Sequence, residues 1–130
     1  MDQNDDEGTA EEYGIQTYVY YRRKPFKKEA FIAWARENAH YIIRSKGICY
    51  FVEEPAKRYV YETAGRQIKL GELGLWYSED HTPAEVAALR QNNTFYAHDW
   101  DDEYKEKLVK LVFIGQNLDK KAIKAELDRI

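Results

Sequence analysis

The chain has 130 residues, 44% of them hydrophobic and 15% aromatic, enough apolar material for one self-sufficient core and too little chain for two full domains. Its formal charge of −3 divides unevenly: residues 1–13 hold six acids and no base, leaving 20 bases against 17 acids from residue 14 onward, a body too mildly basic to argue for duplex nucleic acid on charge alone. A single cysteine, Cys49, excludes a disulfide framework or a multi-cysteine metal knuckle within the chain.

The acidic start, residues 1–13, is expected to be a tail or linker remnant, and residues 14–130 a single domain. Ile15 to Arg22 is β-branched and aromatic and reads as a strand that Pro25 closes. Residues 27–39 read as a helix, with Phe31, Trp34, Ala35 and Asn38 on one stripe and Phe26 placed to staple the first turn. His40 falls at the helix end, where a cation stabilises the carbonyls. Tyr41 to Glu54 reads as extended, divided at Gly47 by a bend or bulge. Arg58–Thr63 and Arg66–Leu70 form a hairpin about Ala64-Gly65, and Leu73–Tyr77 reads as another short strand.

Thr82-Pro83-Ala84-Glu85 is a capping box that opens a helix over about 83–92. Residues 93–104 read as irregular, with Phe95, Tyr96 and Trp100 pinning the loop to the body. Leu108 to Ile114 is apolar on both faces except for Lys110, the pattern of a central strand covered on both sides. Asp119 caps a last helix that carries Ile123, Leu127 and Ile130 on one face. The order implies an α+β fold: a mostly antiparallel sheet of four to six strands, with two or three helices mainly on one face and a ferredoxin-like flavour.

Chemistry is sparse. There is no Gly-x-x-x-x-Gly-Lys-Ser/Thr loop to cradle phosphates, no dinucleotide fingerprint after the first strand, and no Gly-x-Ser-x-Gly. Cys49 lies between Ile48 and Tyr50, where a thiol packs as a small hydrophobe. Asp80-His81 and His98-Asp99 pair imidazoles with carboxylates, and a weak loop metal site follows if they converge. The acidic run from Asp99 to Glu103 reads as a solvated loop around Trp100, or a divalent-ion site. Tyr18, Tyr20, Tyr50, Tyr59 and Tyr61, with Arg22, Arg44 and Arg58, form either the cover of a half-exposed sheet or an aromatic face that stacks single-stranded bases.

Four stretches carry a family resemblance. They are Tyr18 to Phe26; Arg44-Ser45-Lys46-Gly47 running into an apolar strand; the Ala64-Gly65 turn; and Leu111 to Asp119. In this order they resemble the C-terminal domain of the CobW-like GTPases. The resemblance implies a non-catalytic interaction or regulatory module that follows a P-loop GTPase domain in a metallochaperone for zinc or cobalt, linked to cobalamin synthesis or zinc homeostasis. GTP, Mg and the metal then belong to that parent protein, and this chain holds no cofactor, metal or catalytic residue carried over from it. The implied partners are the N-terminal GTPase domain and a metalloprotein client, with Arg22, Arg44 and Lys46 as the contact cations. The implied place is the cytoplasm, with no membrane partner and nucleic acid not favoured; a standalone single-stranded nucleic-acid binder is the alternative reading.

Overall fold

Residues 14–38 and 42–130 are described by the structure, a computed structural model. The elements in chain order are β1 (Ile15–Arg22), α1 (Lys28–Asn38), β2 (Ile42–Cys49), β3 (Lys57–Ala64), β4 (Gln67–Leu75), α2 (Tyr77–Asp80), α3 (Pro83–Asn92), α4 (Thr94–Asp99), β5 (Val109–Gln116) and α5 (Lys120–Asp128). The five strands form one sheet in the order β1-β5-β2-β3-β4, with every neighbouring pair antiparallel. Both β1 and β2 run against β5 and are therefore parallel to each other. α1 joins them across the inserted strand, the split βαβ unit of the ferredoxin-like arrangement. The fold is α+β, as the residue pattern indicates.

Helices α1 and α5 cover one face of the sheet. Phe31, Trp34 and Ala35 of α1 and Ile123 and Leu127 of α5 pack with Tyr20, Tyr59, Tyr61, Val109, Leu111 and Phe113 in one core. Burying each large side chain contributes about 1.5–3 kcal/mol. Phe26 is fully buried and stacks on Phe31 at 4.7 Å between ring centres, closing the first turn of α1 as a staple. A bridge from Phe26 to Phe51 ties the β1–α1 corner to the chain leaving β2. At the start of α3 the Thr82 side chain accepts from the Glu85 N–H while Glu85 accepts from the Thr82 N–H. Asp119 caps α5 by accepting from the Ala122 N–H.

Several expectations need correction. Gly47 makes no bend: β2 pairs through it on both sides, and the register shift lies at Ile42–Arg44 instead. A Cβ at Gly47 would sit 2.0 Å from the Lys110 carbonyl oxygen, so glycine is present because β5 approaches too closely for any side chain. The β3–β4 turn is Gly65-Arg66, with Gly65 at φ +59° and Ala64 paired to Gln67. Leu73–Leu75 is no separate strand but the end of β4, which continues across a bulge opposite Arg58–Tyr59; Tyr77 opens α2. Residues 94–99 are helical because the Asn93 side chain caps them through the Tyr96 N–H. Phe95 pins nothing; it is 84% exposed. β5 is central, yet only its Val109, Leu111 and Phe113 side is fully buried, while Lys110 is exposed and Val112 and Ile114 half-buried. The expectations for residues 1–13 and His40 lie outside the described residues.

Candidate functional site

Strand parity sends successive side chains to opposite faces, so the register assigns the second face of the sheet residue by residue. One cross-strand row reads Thr17, Ile114, Arg44, Ala64, Gln67. The next reads Val19, Val112, Lys46, Glu62, Lys69, and a third reads Tyr21, Lys110, Ile48, Val60, Gly71. At one end of this face Leu89 of α3 and Tyr96 of α4 share a cavity with Ile48 and Arg58. The rest is open. Val19 is 42% and Tyr21 50% exposed, and a shallow groove of about 380 Å³ runs over Val112, Ile114 and Ala64 between Arg44, Lys46, Lys69 and Glu62.

Its electrostatics are one-sided. The three rows carry four cations (Arg44, Lys46, Lys69 and Lys110) and one carboxylate, Glu62. Among the described residues none of these five side chains is in a salt bridge. Desolvating them against anions of another surface therefore breaks no ion pair among the described residues.

Arg22 stands apart from Arg44 and Lys46. It lies on the helix side, and its guanidinium donates to the carbonyls of Lys24, Pro25 and Leu127 while resting over the Phe26 ring at 4.1 Å. It thereby closes the exposed carbonyl end of α5 onto the β1–α1 corner. Beside it the Tyr20 hydroxyl donates to Asp128 at 2.7 Å. Burial and that bond push its pKa up to about 12.

The tyrosines do not make a stacking platform. Tyr20, Tyr50, Tyr59 and Tyr61 are buried at 1–3% exposure, with Tyr59 donating to Glu54 and Tyr50 to the Arg23 carbonyl. Arg44 and Arg58 lie on the other face from Tyr59 and Tyr61. The aromatic face required for single-stranded bases is thus not assembled.

The two His–Asp pairs are not brought into a cluster. His81 stacks on Tyr77 at 3.7 Å and pairs its Nδ1 with the Tyr77 carbonyl, whereas His98 is exposed beside Asp99. Asp101 accepts from the N–H groups of Glu103 and Tyr104, which makes the acidic run a turn and holds that carboxyl below the usual range. Among the described residues no three His, Cys, Asp or Glu side chains are placed to hold a metal. Cys49 is fully buried, and burial raises its thiol to about 12.

Among the described residues one carboxylate, Glu106, is buried, and the sequence offered no cue to it. Glu106 accepts from the Ser78 N–H and hydroxyl and from the Tyr96 hydroxyl, joining α2 to α4. Burial alone would raise its pKa, but those donors outweigh it and the carboxyl lies below the ordinary glutamate value. It borders the roughly 290 Å³ cavity beside Trp76 and Leu108, with its acceptors directed at Ser78 and Tyr96.

The profile of the cobalamin synthesis protein cobW C-terminal domain matches residues 15–130. The chain belongs to this family. As a CobW C-terminal domain it is 27% identical over 121 residues to the zinc-regulated GTPase metalloprotein activator 1 of Dictyostelium discoideum, covering 90% of this chain and 25% of that protein. Its fold is shared with the Zn(II)-bound YjiA GTPase of E. coli, at TM-score 0.58 and 18% identity, over 93% of this chain and 31% of that one. A Zn(II)-bound triple mutant of YjiA superposes at TM-score 0.57 over 89% of this chain. The CobW C-terminal domain thus spans a quarter of the curated relative and under a third of the YjiA chain. Among the described residues there is neither a Gly-x-x-x-x-Gly-Lys-Ser/Thr loop nor a group of three His, Cys, Asp or Glu side chains placed to hold a metal. No helix among them is long and apolar enough to cross a membrane.

Proposed function

We propose that this chain is a non-catalytic interaction and regulatory domain of a CobW-like GTP-binding metallochaperone that handles zinc or cobalt in the cytoplasm. Residues 14–130 form the domain and residues 1–13 its acidic tail or linker remnant. The domain meets the N-terminal GTPase domain of the same protein, or a metalloprotein client, through the open sheet face, with Arg44 and Lys46 as contact cations and Arg22 as an internal tie. The observation that carries this reading is the groove: an aliphatic floor of Val112 and Ile114 ringed by cations without an ion-pair partner among the described residues. Apolar centres with charged rims are the anatomy of protein contacts.

Incubation of the chain with GTP and Mg²⁺ tests the first half: no turnover and no saturable nucleotide binding are expected, and either one overturns it. The second half is tested in the parent protein. Replacing Lys46 and Val112 by Glu places carboxylates in the groove without touching the core, and is expected to change GTP turnover or metal transfer by about tenfold, as loss of a few rim and centre contacts does. Unchanged rates in a folded variant overturn it.

A further inference from the structure

The groove has a candidate occupant in the chain itself. Residues 1–13 carry Asp2, Asp5, Asp6, Glu7, Glu11 and Glu12 with no base, the charge opposite to Arg44, Lys46 and Lys69. The point of attachment favours an encounter. Gly14 precedes β1, whose Ile15 pairs with Gln116 and whose Thr17 lies in the row of Ile114 and Arg44. The acidic segment therefore enters the sheet at the groove's own end.

The reach is ample. β2, which carries Arg44 and Lys46, is the second strand in from β1, about 10 Å away at the usual strand spacing. Thirteen residues span at most about 45 Å when fully extended. Such a tether gives an effective concentration on the order of millimolar, so individually weak ion pairs suffice when several form together.

We propose that the acidic segment 1–13 docks intramolecularly in the open-face groove, its carboxylates against Arg44, Lys46 and Lys69. The segment then competes with any partner of this face, and a partner must displace it. The inference shares a surface with the proposed function but needs no GTPase domain or client, so each fails or stands separately.

The test uses the full chain carrying Asn4→Cys labelled with a nitroxide. Cys49 is fully buried and leaves the new thiol as the reactive one. At low salt the amide signals of Arg44, Lys46, Glu62, Lys69 and Ile114 are expected to lose about half their intensity or more, matching a largely docked segment at millimolar effective concentration. Signals on the helix side, such as those of Trp34 and Leu127, are expected to keep theirs. The loss disappears at about 1 M salt, where the Debye length is about 3 Å. It also disappears in the Arg44→Glu, Lys46→Glu, Lys69→Glu chain. These side chains are exposed, and Gln replacements at the same three positions, expected to weaken the loss without reversing charge, serve if the Glu variant does not fold. Absence of broadening at the groove overturns the proposal, as does broadening that survives both salt and charge reversal. Broadening that fades on dilution overturns it too, because the occupant is then a second copy.

Discussion

Gly47→Ala is the sharpest test of the packing logic. The added methyl carbon would meet the Lys110 carbonyl oxygen at 2.0 Å and the Leu111 Cα at 2.8 Å. Both are backbone atoms of β5, which is held between β1 and β2, and have no rotamer through which to yield. An ordinary carbon–oxygen contact needs about 3.3 Å, so β2 and β5 must part by more than 1 Å where adjacent strands sit about 4.8 Å apart. Taking two ladder hydrogen bonds as lost, and a buried carbonyl as left without its donor, the cost is about 3–5 kcal/mol. Reduced freedom of the unfolded chain returns at most about 1 kcal/mol. Urea unfolding followed by circular dichroism is the assay, with Gly65→Ala as the comparison. Gly65 has φ +59° and open space around its missing Cβ, so it incurs only the left-handed backbone cost of about 1–2 kcal/mol. The expected order is wild type, then Gly65→Ala, then Gly47→Ala, with a gap of about 2 kcal/mol between the variants. A Gly47→Ala chain as stable as Gly65→Ala refutes the close-approach argument.

Three further outcomes are expected. Glu106→Gln is expected to cost about 2–3 kcal/mol at neutral pH, since three donors lose a charged acceptor. Because the folded carboxyl titrates below the ordinary value, this stability is present above the unfolded glutamate pKa and is lost as pH falls through the folded one. Unfolding curves of wild type and variant are therefore expected to converge in acid, and a constant gap across the range contradicts the assignment. Arg22→Lys keeps the charge but not the fork that reaches the Lys24, Pro25 and Leu127 carbonyls. A loss of about 1–3 kcal/mol in thermal or urea unfolding is expected, and full rescue by lysine would show that charge alone matters. Cys49, with its thiol raised to about 12, is expected to react with a disulfide reagent at pH 8 only as fast as the protein unfolds; immediate labelling of the native chain contradicts its burial.

What the residues revealed beforehand was whatever is local. The Phe31–Trp34–Ala35 stripe, the Thr82–Glu85 box and the Asp119 cap each lie within one turn of helix, and each forms as its spacing implies. What they concealed depends on partners far along the chain. Tyr59 and Tyr61 share a parity, but only the packing of α1 and α5 decides that this parity is the covered one. Gly47 looks like a kink until β5, over sixty residues later, is laid beside it. The groove draws Arg44 and Lys46 from β2, Lys69 from β4 and Val112 from β5, so no short window contains it. A usable signal existed in Lys110-Leu111-Val112-Phe113-Ile114, where polar and β-branched residues alternate with larger apolar ones. It marked a strand with one face less buried than the other. Glu106 lacked any such cue, since its donors come from Ser78 and Tyr96 on helices shorter than two turns.

The insertion of β5 between β1 and β2 shapes the order in which the protein comes into being. Until β5 is available, β1 has no mate and β2 is paired on its β3 side alone, so two adhesive margins stand open. Among the described strands only the β2–β3–β4 meander can form from sequential neighbours; closure of the sheet waits for β5. Such late, long-range closure slows folding and invites mispairing with other nascent chains. A nonsense change just upstream of Val109 would accordingly release not a smaller domain but a sheet in which β1 is cut off from the β2–β3–β4 meander.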